Sequence, residues 1–398
     1  MTRALPRLGS ARSALSRFPA PCLAPTRGRV LAFASVALCA GSHCAWRWQE
    51  SRGSVCAFGM PATPEKAVVR AAYDIGSGLS KVQVAEVEPR ARTILRVLHA
   101  EQRQCLMREA MALRGDGSIG AEALAECAQI LREMKARAEA LGAAEHAAIA
   151  TAVFREASDG QGFLDATVNG ELGLRASVVS QRVEGEIGFL TAVAAASDAG
   201  VGCGERGVVA WDSGGGSFQV SALGGTGLDV WGVHLGSASA TALMVEAVQG
   251  RSFAEEQSPN PCSIDDCLAL AERMRADIGP APGWLLDRLA ARGDPVTVIA
   301  IGGKTGAFGN SAQACGKAMW TAGELWAAIE CLAGSTDGDL QAAGFTTVRM
   351  ILPKLVLVHT VMSIVGMESA RHLPSAGGCA GMLLCDSLWA FSPARSSH

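Results

Sequence analysis

The stretch Val208–Val220 reads VVAWDSGGGSFQV. Apolar residues climb to an aspartate, three glycines follow, and a second strand-like run begins. This pattern predicts a strand, a glycine turn and a return strand. Glycine has no Cβ, so a phosphate can approach the backbone, and successive N–H groups can point inward at little conformational cost. Gly214, Gly215, Gly216 and Ser217 are therefore candidate phosphate donors. Asp212, at the strand end, would repel a bare phosphate. The two features belong together if a cation such as Mg²⁺ lies between them, held by one or two carboxylates and by phosphate oxygens.

An earlier segment has the same form. AAYDIGSGLSKVQVAEV, residues 71–87, also runs apolar–Asp–x–Gly–x–Gly into an alternating strand. Asp74 matches Asp212, and the turn of Gly76, Ser77 and Gly78 matches the later glycines. Two such units suggest duplicated domains facing each other across a cleft. The plainer alternative for either copy is an ordinary hairpin turn.

Between and after the copies, the periodicities predict an α/β chain. Thr93–His99 adds a strand. Ala121–Leu141 carries Leu124, Cys127, Leu131, Met134, Ala138 and Leu141 at helical spacing, and Gly142 ends it. Ala147–Val153 and part of Ser177–Ser180 read as strands, Ile187–Ala196 and Ser239–Val248 as helices, and Val296–Ile301 as a buried strand. Leu355–Val365 is an apolar helix whose start is limited by Pro353.

The chain of 398 residues is long enough for two domains, and 49% hydrophobic against 18% charged residues gives a sizeable core. Net charge is −3 but unevenly spread. Residues 1–49 hold seven arginines and no acid, so the remainder carries 28 basic against 38 acidic residues, or −10. So acidic a body excludes a general nucleic-acid binder. The 13 cysteines contain no C-x-x-C and read as reduced, mostly buried thiols.

The segment MTRALPRLGSARSALSRF is rich in Arg, Ser and Ala, as mitochondrial and plastid transit peptides are. VLAFASVALCA, Val30–Ala40, is too short for a comfortable helical membrane span. Residues 1–65 are set aside as a targeting leader and linker, which points to an organelle. A start at Met60 would instead leave the protein in the cytoplasm. The remainder divides into an N-terminal domain over 66–180, a second over 181–377, and a segment 378–392 that returns to the first.

Other candidates are weighed against plainer roles. GKT at 303–305 is not a P-loop, because the required glycine five places before Gly303 is Val298. Gly302–Gly306 reads as a third cleft loop, with Thr305 a phosphate donor or a plain turn residue. Glu184 and Glu186, two apart on a helix, cannot share a face, so only one looks into the cleft. Arg155 could grip a phosphate through its guanidinium fork or form a surface ion pair. His234 stands alone and receives no role.

Taken together, these blocks resemble the exopolyphosphatase/guanosine-pentaphosphate phosphohydrolase (Ppx/GppA) family, from about Val68 to Gly381. AAYDIGSGLSKVQVAEV resembles its opening phosphate loop, ATAVFREASDGQGFL its Ala-Thr-x-x-x-Arg-x-Ala block, and SQRVEGEIGFLTAV its Ser-Gly-x-Glu-Glu-Ala-Arg-Leu block. WDSGGGSFQV resembles Asp-Ile-Gly-Gly-Gly-Ser-Thr-Glu, and IAIGGKTGAF the later Gly-Gly block. The resemblance implies two actin-like (ribonuclease H-like) domains, with mixed sheets flanked by helices and the active site in the cleft between them. It implies a phosphoanhydride hydrolase that releases terminal phosphate from inorganic polyphosphate or guanosine pentaphosphate. Glu184 would be the general base, Arg155 a phosphate ligand, and Asp74, Asp212 and Gln219 the neighbours of Mg²⁺ or Mn²⁺. No stable membrane span is implied, and homodimerisation stays open.

The sequence departs from the family at several points. Gly78 stands where Asn is usual, Val183 replaces the first glutamate, and Gln219 replaces a metal-associated Glu. SAGGCAGML lacks the Arg-Glu usual before its last glycine. Two rival readings therefore stay open: a non-catalytic sensor of polyphosphate or an alarmone, and an ATP-using kinase or ATPase of the same superfold.

Overall fold

The computed structural model describes residues 67–291 and 296–389. The proposed leader, Val30–Ala40, Met60 and residues 390–392 lie outside the described residues.

The first lobe is built on β1 (Val68–Ile75), β2 (Leu79–Glu88), β3 (Thr93–Gln104), β4 (Glu145–Ala150) and β5 (Ala176–Val178), in the order β3-β2-β1-β4-β5. β1, β2 and β3 form an antiparallel meander, whereas β4 and β5 run parallel to β1. Its helices are α1 (Met107–Arg114), α2 (Ala121–Ala140), α3 (Ala152–Glu156) and α4 (Gly160–Phe163), the last continuing as a wider turn over Leu164–Glu171. β4 ends at Ala150, not at the expected Val153. The chain turns at Thr151 and winds into α3 instead, which carries Arg155.

The second lobe repeats this plan. After α5 (Gln181–Asp198) come β6 (Val208–Ser213), β7 (Phe218–Leu223) and β8 (Leu228–Val233), then α6 (Ser237–Leu243), α7 (Ile264–Ile278) and α8 (Gly283–Ala290). Next follow β9 (Thr297–Gly302), α9 (Ala307–Cys315), β10 (Met319–Thr321), α10 (Ala322–Leu332), α11 (Asp337–Ala342), α12 (Ile351–Val365), β11 (Ser369–Pro374) and α13 (Cys379–Leu384). The sheet order is β10-β11-β9-β6-β7-β8. β6-β7-β8 is an antiparallel meander, and β9 and β11 run parallel to β6. The equivalence extends to register. Asp74 lies opposite Lys81 in the first hairpin, and Asp212 lies opposite Gln219 in the second.

Packing follows from the sequence patterns. α2 lays Cys127, Leu131 and Met134 on the first sheet beside Tyr73 and Val82. α12 is apolar on nearly every side because it is buried on nearly every side, packing against α7, α9 and α10. By length and composition, Val348–Val365 could cross a bilayer, but here it forms the core of the lobe. Pro353 sits inside the first turn of α12, where no intrahelical N–H bond is lost. α5 touches both lobes: Ile187 joins the core of the first sheet, while Phe189, Ala192 and Ala196 cover the second. α13 returns to the first sheet, where Cys379, Met382 and Leu383 pack on Ala72, Ala85 and Ile149. The Trp389 ring lies 4.5 Å beneath the Arg70 guanidinium.

Candidate active site

The two glycine turns meet. A Cβ placed on Gly215 would stand 3.4 Å from Ser77 Cβ and 3.7 Å from the Gly78 nitrogen. Each turn is closed by the same bond: Gly76 N donates to Leu79 O at 3.0 Å and Gly214 N to Ser217 O at 2.9 Å. Gly76 to Gly78, Gly214 to Ser217, Gly303 and Thr305 line one cavity, with Asp74, Asp212 and Glu184. Of the serine hydroxyls, Ser77 accepts from Val153 N at 3.2 Å, and Ser217 from Gln219 Nε2 at 3.2 Å.

The carboxylates are held differently. Asp74 Oδ2 accepts from Lys81 Nζ at 2.9 Å and from Gly378 N at 3.1 Å. Gly377 must lack a side chain here, because its Cβ would come within 2.2 Å of that oxygen. Asp212 is pushed up to about 6, first by burial and then by Asp74, with Lys81 opposing. Burial alone would pull the Lys81 ammonium down. Asp74 and Asp212 outweigh it and raise its pKa, so the lysine stays charged between them.

Glu184 stands in the first turn of α5, whose N-cap Ser180 accepts from Val183 N. Its Oε2 accepts from Arg155 Nη1 at 2.9 Å. Burial, aided by repulsion from Asp212 and Asp74, raises its pKa to about 7 against the pull of Arg155. Glu186 points elsewhere and pairs with Arg182 at 3.2 Å.

Two expected ligands are placed otherwise. Arg155 also donates to the Val179 carbonyl at 2.8 Å, and it does not line the cavity. Its Nη2 donates to Ser217 Oγ at 3.5 Å, so the guanidinium links Glu184 to the second glycine turn. Gln219 is buried beside Ser217, also away from the cavity wall. Thr305 does line the cavity, and its Oγ1 accepts from Gln102 Nε2 across the cleft at 3.4 Å.

The sequence reading missed three cations. Lys81, Arg108 and Lys354 all line the cavity. Lys81 had a readable signal, being seven residues beyond Asp74 across a registered hairpin. Arg108, in the first turn of α1, pairs with Glu156 and lies against the second glycine turn. A Cβ on Gly216 would sit 2.8 Å from its Nη2. Lys354 reaches in from the core helix α12, and no motif marks either residue.

Residues 83–249 match the Ppx/GppA phosphatase family. Among curated proteins, none matches the chain. Solved structures do. A Ppx/GppA family member from Aquifex aeolicus is 17% identical with a TM-score of 0.60, over 82% of this chain and 100% of that one. An exopolyphosphatase from Cytophaga hutchinsonii is 15% identical with a TM-score of 0.61, over 80% and 98%. Residues 83–249 thus match the Ppx/GppA phosphatase family, and the chain shares with these structures a fold of two mixed sheets flanked by helices.

Proposed function

We propose that this protein hydrolyses a terminal phosphoanhydride, releasing phosphate from inorganic polyphosphate or guanosine pentaphosphate. One observation carries the reading: two glycine turns from different lobes abut, with a buried glutamate of raised pKa on the wall of the cavity they share. The Aquifex and Cytophaga relatives, named as a Ppx/GppA family member and an exopolyphosphatase, support the same class.

Arg155 holds Oε2 of Glu184, which leaves Oε1 to take a proton from the attacking water. A base near neutrality both accepts that proton and is largely ionised above pH 7. The turn N–H groups, with Lys81 and Arg108, orient the chain and stabilise charge that develops on the transferred group. Asp212 and the Oδ1 of Asp74 would hold Mg²⁺ or Mn²⁺, which would neutralise phosphate charge. Two neighbouring aspartates in mutual repulsion suit such an ion, which is commonly held by one or two carboxylates together with substrate phosphates.

Gln219 favours a second reading, a sensor that binds condensed phosphate without turnover, because it puts a neutral amide where the family commonly has a carboxylate. Phosphate release from polyphosphate, guanosine pentaphosphate and ATP, with and without Mg²⁺, separates the possibilities. Release from the first two alone supports the hydrolase. Release from ATP alone makes the protein an ATPase, and binding without release makes it a sensor.

A further inference from the structure

Lys354 is out of keeping with its surroundings. Twelve of the fifteen residues of α12 are buried, and the other eleven of these are apolar or, in Thr360, uncharged. Lys354 itself is 4% exposed. A leucine or methionine would suit such a helix better, because a buried ammonium loses its hydration and is rarely retained for stability alone.

Among the described residues the ammonium has no counter-ion. Its Nζ donates to three neutral oxygens: the Thr305 carbonyl at 2.9 Å, Asn310 Oδ1 at 3.1 Å and Thr347 Oγ1 at 3.3 Å. Burial lowers its pKa to about 8. Its hydrogen bonds go to the Thr305 loop, α9 and Thr347, and not to Glu184, Asp74 or Asp212, although it lines the same cavity. Thr347, which also lines it, is held at φ 52. That conformation is costly for a β-branched residue, and there its hydroxyl accepts from Lys354. The chain thus maintains, among its described residues, a positive charge on the cavity wall with no carboxylate bonded to it.

We propose that Lys354 is the counter-charge for the non-reacting part of the substrate, so that the site selects condensed phosphates carrying charge beyond the terminal anhydride. The inference rests on the phosphoanhydride reading for the identity of the reacting end. The neutral oxygens take the three ammonium protons and fix its place, and the incoming oxyanion supplies the opposite charge that the protein withholds.

The test is direct binding of inorganic tripolyphosphate and pyrophosphate by calorimetry. It uses Glu184→Gln protein, so that the probes persist, with and without the added change Lys354→Met. Lys354→Met should weaken tripolyphosphate binding about ten- to a hundred-fold, and at least about ten-fold more than it weakens pyrophosphate binding. Equal losses for both probes, or no loss, overturn the proposal; equal losses would make Lys354 a prop for the Thr305 loop. Lys354→Arg keeps the charge and should keep the preference. If Lys354→Met does not fold, the unaltered Lys354 site must still bind tripolyphosphate more tightly than pyrophosphate, and no preference there refutes the claim. Preferential binding in a protein that releases no phosphate would leave Lys354 in place and remove only the hydrolase reading.

Discussion

Glu184 and Arg155 are 2.9 Å apart, and their pairing sets the chemistry of the site. Burial places the carboxyl near 7. Because the base must be ionised, turnover should rise with pH through that value and level off above it. Arg155 acts to lower the Glu184 pKa. Arg155→Met should therefore move the acid limb of the pH–rate profile to higher pH; an unmoved limb would show that the pair does not govern the base. Glu184→Ala should lower turnover by about 10²–10⁴ while the folded circular-dichroism signal is kept. Asp212→Asn should raise the Mg²⁺ concentration needed for half-maximal rate, read from a metal titration. At this scale the sequence named Glu184, Asp74 and Asp212 correctly as cavity residues. It could not show that Arg155 ties Glu184 to Ser217 of the second glycine turn, since those contacts join segments far apart in the chain. Nor could it show Arg108 or Lys354, whose positions follow from tertiary packing with no local pattern.

The hairpins were the most legible elements, because period-two alternation on either side of a glycine turn fits little besides paired strands. The duplicated Asp–x–Gly–x–Gly pattern foretold two sheets of equivalent topology, and the strands of both hairpins agree with it. Helix ends were harder to read. α5 starts at Gln181, six residues before the apolar run that marked it, because its first turn serves the cleft instead of the core. α12 starts before Pro353, because a proline in the first turn removes no helical bond. The SAGG segment held a role that composition does not show. It brings Gly378 N onto Asp74 and lets α13 approach α5 closely. Gly381 N donates to Thr191 Oγ1 at 2.8 Å, and a Cβ on Gly381 would fall 2.0 Å from the Ile187 carbonyl oxygen. A backbone oxygen cannot swing aside, so Gly381→Ala should destabilise the protein by about 1–3 kcal/mol or more. Urea unfolding would read this as a lower midpoint at unchanged slope; an unchanged midpoint would mean that α13 is not held as described.

Across the whole molecule, the contacts that hold the lobes about the cavity include Gly215 against Ser77, Gln102 on Thr305, and the ion pair of Arg349 with Glu109. Arg349 lies just before α12 and Glu109 on α1, where it lines the cavity, so this pair bridges the two lobes beside the site. Arg349→Met should yield a more open particle in small-angle X-ray scattering, with a larger radius of gyration that contracts when tripolyphosphate is added. A radius identical to that of the unaltered protein would show that the pair does not restrain the lobes. The sequence foresaw convergence of distant turns from their likeness alone. The side-chain contacts between the lobes join unrelated segments and leave no trace in either one. The central claim is that these turns enclose a phosphate chain whose end faces Glu184. Its most direct test is the rate of free phosphate release from long-chain polyphosphate, at pH 8 with Mg²⁺, by the unaltered protein and by Glu184→Gln side by side. Steady release is expected from the first, and release about 10²–10⁴ times slower from the second. Equal rates from the two, or no release from the unaltered protein, would contradict the claim.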